Sequence, residues 1–159
     1  MNPSVDDRLN SVLRALETVV LPALPATASL AQEQVMLAIG HIRIIQAQRD
    51  ATPGFETGEL DDLKRMAGAI LALDAAPAAC APQRAALEAA LEGSGEEPRA
   101  SAERLRVAID DLLVAARQAG EDVYRAALSD TILPLARERA AKDREWFAVM
   151  GFDIDLSAA

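Results

Sequence analysis

Apolar residues recur every three or four positions along nearly the whole chain, the spacing of helices buried along one side, and no β-hairpin signal interrupts them. Leu9, Val12, Leu13, Leu16, Val19 and Val20 form one stripe and predict a helix over residues 3–21. Pro3 suits its first turn, Asp6 and Asp7 face its positive end, and Pro22 and Pro25 in "LPALP" supply the stop. A second helix is expected over 29–49, behind the cap candidates Thr27 and Ser29. A third, over 57–75, carries Leu60, Leu63, Met66, Ala67, Ile70 and Leu73 on one face, and "AAPAACAP" breaks it. A short fourth, 82–92, shows Leu87 and Leu91 among alanines before "GSG".

The fifth helix, 99–119, has Leu105, Ile109, Leu112, Leu113 and Ala116 in register and ends at Gly120. The sixth, 121–149, has Val123, Tyr124, Ala127, Leu128, Thr131, Ile132 and Leu135 as its buried stripe. Pro134 lies inside it and predicts a kink or restart near Asp130, since an interior proline removes a backbone hydrogen bond. "ETVVLPAL" (17–24) and "SDTILPLA" (129–136) look alike, the same Leu-Pro device used twice. The fold class expected is all-α: one antiparallel helical bundle over residues 1–159, with about five to six helices, four of them long.

"AQEQVMLAIGHIRII" (31–45) departs from the one-sided pattern. At about 100° per residue, Val35, Ile39 and Ile42 share one side while Leu37, Ile44 and Ile45 reach round to the other. A helix apolar on nearly all faces is surrounded by protein, so either the other helices wrap it fully or a second copy of the chain covers it, and in so small a domain the second is the preferred expectation. Gly40 fits such a packing, because glycine inside a helix costs about 1 kcal/mol relative to alanine and a close helix approach offsets it. On an enclosed helix Glu33, His41 and Arg43 need internal partners, so they are the candidate lining of a small ligand pocket.

The last residues change character. Three of the five aromatic side chains, Trp146, Phe147 and Phe152, fall within the final 14 positions. Trp146, Phe147, Val149 and Met150 end the sixth helix on an apolar patch, with Gly151 as the stop. Phe152, Ile154 and Leu156 then alternate with Asp153 and Asp155, the period of an extended segment with one apolar side. Trp146, Phe147, Met150, Phe152 and Ile154 are therefore the candidate interaction surface, docking on the protein's own bundle, a second subunit or a partner protein.

Composition narrows the function classes. The chain has 34 Ala against 1 Trp, 1 Tyr and 3 Phe, so large side chains are scarce. Fourteen of its 16 basic residues are Arg, an Ala/Arg bias that suits a GC-rich bacterial genome. A net charge of −9, with the one basic run (Arg137 to Arg144) interleaved with acids, argues against nucleic acid. One cysteine, Cys80, allows no internal disulfide, and the start carries no signal-peptide pattern and no stretch long enough to span a membrane, which makes the cytoplasm the expected location. The di-iron pattern of helical bundles needs two Glu-x-x-His motifs, whereas the single histidine, His41, has Ala38 three residues before it. The carboxylate pairs Asp61/Asp62, Asp110/Asp111 and Glu121/Asp122 are adjacent and point about 100° apart, away from any shared ion. No nucleophile elbow or glycine-rich phosphate loop occurs, and no catalytic constellation, metal or cofactor is implied.

"RLNSVLRALETVVLPALP" (8–25), followed by "AQEQVMLAIGHIRII", resembles small bacterial proteins encoded beside acyl-CoA dehydrogenase and aminoglycoside-phosphotransferase-like genes. The distinctive marks are the Leu-Pro ending and the Gly40-His41 pair, and the resemblance carries no activity or catalytic residue with it. The function expected is that of a non-enzymatic helical interaction protein, homodimeric, with an apolar-ligand binder as the alternative.

Overall fold

The computed structural model describes residues 3–74, 76–93, 95 and 97–148; Met150, Phe152 and Ile154 of the expected interaction surface lie outside them. The described residues form six helices and no strand, so the chain is all-α. It divides into two compact units, Met1–Thr52 with Glu145–Ala159, and Pro53–Arg144, where the sequence pattern was read as one bundle.

The first unit is a helical hairpin. Its helix α1 (Val5–Ala15) starts at Ser4, whose hydroxyl accepts from the Asp7 N–H at 3.1 Å while Asp7 accepts from the Ser4 N–H at 2.9 Å. This reciprocal cap sets the start, with Pro3 outside it. The axis continues through one widened turn, Leu16–Val20, in which the Leu21 N–H reaches back five residues to Leu16, and then Leu21–Ala23. Pro22 explains the widening: its ring crowds the carbonyl four residues back, and a five-residue hydrogen bond moves that carbonyl aside. The stop is therefore Pro25, which forces Leu24 into an extended conformation, and not Pro22.

Helix α2 (Ser29–Gln48) follows, and neither Thr27 nor Ser29 caps it; Ala28 holds the cap position. The Gln32 side chain instead donates to the Pro25 carbonyl at 3.1 Å. Side-chain links from Glu17 to Arg43, Asn10 to Gln46 and Asp6 to Arg49 climb one helix as they descend the other, so α1 and α2 are antiparallel.

The second unit contains the main core. Helices α3 (Thr52–Leu71), α4 (Ala81–Glu92), α5 (Pro98–Ala119) and α6 (Asp122–Ala148) contribute to it, with a single 3-10 turn, Ala78–Cys80, leading into α4. The largest fully buried side chains are Ile70, Leu87, Leu105, Leu112 and Leu128. Alanines 67, 102, 108 and 116 fill the positions between them, and Cys80 is wholly enclosed. Gly120 ends α5 with φ 73°, the left-handed conformation that glycine adopts without a Cβ penalty. Leu113 and Val123, expected in the buried stripes, are exposed, Val123 by 84%; each sits one residue from the position that faces inward, Leu112 and Tyr124.

No restart occurs near Asp130. Helix α6 runs through Pro134 without a break, and both Asp130 and Pro134 are exposed. The carbonyl that loses its partner at the proline can therefore bond to water.

Polar contacts tie the second unit together. Arg84 of α4 donates to the Leu71 carbonyl at 2.8 Å, the Ile70 carbonyl at 3.3 Å and the Tyr124 hydroxyl at 3.2 Å. One guanidinium thus closes the carbonyl end of α3 and joins it to α6. Along the α3–α6 contact, Asp62 accepts from Lys142 at 2.7 Å and from Arg139 at 3.4 Å, and lies 3.2 Å from Arg65, which itself reaches Glu138 at 2.6 Å. Arg139 also stands over the Phe55 ring, 4.5 Å from its centre. Burial pushes the Asp62 carboxyl up, but the Lys142 hydrogen bond and the charges of Lys142, Arg139 and Arg65 outweigh it and hold it below the usual value.

Candidate interaction surface

Among the described residues of the first unit Leu13, Ile39 and Ile44 alone are buried, too little for a hairpin of two long helices to be stable by itself. Its remaining large aliphatics are largely in water. On α1 and its extension, Val5, Val12, Val19 and Val20 are exposed, which corrects the expectation that Val12, Val19 and Val20 belong to a buried stripe. The reason is register: Leu13 is the residue turned to α2, and Val5, Val12 and Val19, spaced seven apart, form a second stripe about 100° away. On α2, Leu30, Met36, Leu37 and Ile45 are exposed. The apolar-all-round helix is thus real: the described residues bury Ile39 and Ile44 and leave those four exposed.

The two helices are tied along one flank by the Glu17–Arg43 and Asn10–Gln46 contacts. At about 100° per residue, Val5, Val12 and Val19 turn to the other flank of α1, and Gln34, His41 and Ile45 to the same flank of α2, with Leu30 and Leu37 at its edge. The outcome is a face two helices wide and nearly free of charge, apolar along α1 and interrupted on α2 by Gln34 and His41, with Arg8 at its rim.

The sequence candidates separate. Glu33, His41 and Arg43 are all exposed, with no pocket enclosing them among the described residues, and Arg43 is committed to Glu17 at 2.6 Å. They also point in three directions, Arg43 toward the tied flank and His41 toward the apolar one. A Cβ built at Gly40 meets nothing within 4 Å, so no other helix among the described residues approaches it closely. Trp146 is part-buried, its carbonyl accepting from Gln48 at 3.0 Å, which brings the end of α6 to the end of α2; Phe147 beside it is 46% exposed. Two stretches singled out separately in the sequence therefore meet in one unit.

Elsewhere, an open groove of about 800 Å³ runs between α4 and α5, lined by Ala86, Ala89, Ala90, Ala100 and Val107 with Glu103, Arg104 and Asp111. An adjoining hollow holds Gln83, whose Oε1 is buried without a hydrogen-bond partner among the described residues. The sequence reading missed this groove; the signal was the 7-residue spacing of Ala100, Val107 and Val114. Among the described residues no group of three or more His, Cys, Asp or Glu side chains is placed to hold a metal ion, and no helix is long and apolar enough to cross a membrane.

Compared with protein-family models, curated proteins and solved structures, the chain matches none of them.

Proposed function

We propose that the protein is a non-enzymatic interaction module that forms a homodimer by pairing its first unit with the same unit of a second copy, apolar face to apolar face, as a four-helix bundle. The observation that carries this reading is a pair of stripes left exposed by the described residues: Val5, Val12 and Val19 on one helix, Leu30, Leu37 and Ile45 on the other. Size supports it. A 20-residue helix is about 30 Å long, and two side by side give a footprint of roughly 600 Å², comparable with the ~800 Å² of accessible surface per partner in stable complexes. Charge limits how a second copy can sit. A chain of net charge −9 repels itself, so two copies associate only through a patch that brings few charges together, and this face does so. The cytoplasm is the location this reading takes, and the exposed Phe147 extends the surface at one end of α2.

Light scattering on a sizing column tests the reading. Val12→Glu combined with Ile45→Glu is expected to give a monomer with unchanged helix content, while Val123→Glu, on an exposed site of the second unit, leaves the dimer intact. A dimer that survives the double substitution removes the proposed face.

A second reading, binding of an acyl or other apolar ligand, draws support from the alanine-lined groove between α4 and α5 and none from Glu33, His41 or Arg43.

A further inference from the structure

His41 is the only histidine in the chain and lies in the middle of the apolar face, exposed, with Leu37 one turn before it and Ile45 one turn after it. We infer that association of two copies is controlled by pH through His41: the neutral imidazole is accepted in the interface and the imidazolium is not. The inference rests on the homodimer reading and gives it a regulation.

The physical basis is symmetry and burial. A twofold dimer made from this face brings in both His41 side chains, so each protonation places a second like charge in the same apolar contact. Histidine is the side chain whose ordinary titration falls between pH 5 and 8, so the effect lies in the physiological range. Neighbouring charges offer little compensation. From α1, Glu17 and Asp6 are engaged by Arg43 and Arg49, Asp7 by the Ser4 cap, and Arg8 at the rim and Arg14 add positive charge. On α2 itself, Glu33 is two turns away, and at the end of α6 Glu145 is exposed to solvent. Among the described residues, no carboxylate is thus both free and beside the imidazole to hold its proton in the dimer. Association favours the deprotonated form, and the dimer weakens as pH falls.

Sedimentation equilibrium of the full chain at pH 8.0 and pH 5.5 provides the test, with His41→Gln and His41→Arg measured alongside. Wild type is expected to dissociate about ten- to a hundredfold more readily at pH 5.5, roughly one decade for each imidazole that must lose a proton to enter the contact. His41→Gln should hold the pH 8.0 dimer at both values, and His41→Arg should be weakened at both. Equal wild-type affinities at the two pH values, or a pH response retained in His41→Gln, overturns the inference while leaving the dimer standing. A wild-type monomer at pH 8.0 overturns the homodimer reading itself.

Discussion

Two leucine–proline pairs in near-identical sequence contexts are absorbed differently, and the difference is local. At Pro22 the helix widens by one residue and ends one residue later, whereas at Pro134 it continues for another 14 residues. The second site is exposed and leaves its orphan carbonyl to water, so the proline there costs stability without reshaping the chain. Pro134→Ala restores the missing bond and is expected to raise unfolding stability by about 1–3 kcal/mol, read as a higher urea midpoint. A fall would show that the proline is matched to a bend its neighbours need. Arg84 is the opposite case. It serves two terminal carbonyls of α3 and a buried tyrosine hydroxyl at once. Arg84→Ala should cost about 1–3 kcal/mol in the same assay, and Arg84→Lys should recover only part of it because an ammonium lacks the planar fork. Nothing in the sequence marks Arg84, which sits in an alanine-rich stretch where only three-dimensional placement gives it partners.

At the level of helices, α3 and α6 are held by a carboxylate surrounded by three cations. Asp62 ionises more readily folded than unfolded, so its contribution is complete above the ordinary carboxylate value, ~3.9, and disappears as pH falls through the lower folded value. Asp62→Asn is expected to lower stability by about 1–3 kcal/mol at pH 7 and to flatten the acid side of the stability profile. An unchanged profile would mean that the ion pairs are compensated by solvent. The sequence showed how far such elements can be read in advance. Of the six residues expected on one face of α3, Leu60, Leu63, Met66, Ala67 and Ile70 are buried, because a single stripe leaves only one way to turn the helix, while Leu73 falls past the helix end and is half-buried. In α1 the apolar residues span two adjoining stripes, and periodicity alone assigns both to the core. Only the antiparallel register set by Glu17, Asn10 and Asp6 shows that Leu13 faces inward and Val12 does not. The same ambiguity explains the candidate pocket: an apolar-all-round α2 was legible, but its exposed side, and with it Glu33, His41 and Arg43, was not.

For the whole molecule, the two units stand in contrast. Pro53–Arg144 has a continuous apolar core of its own, while the described residues of the first unit include three that are buried and a face of exposed aliphatics. The Gln48 contact to the Trp146 carbonyl ties the end of α6 into the weaker unit, so deleting residues 146–159 is expected to lower the melting temperature or dissociate the dimer. An unchanged melt with an unchanged elution volume would leave that segment without either role. The most direct test of the central claim is native mass spectrometry of the purified chain. The account predicts a species at twice the 16.9 kDa of one chain with no added mass. A single chain at that mass, or one carrying a bound small molecule, would contradict it.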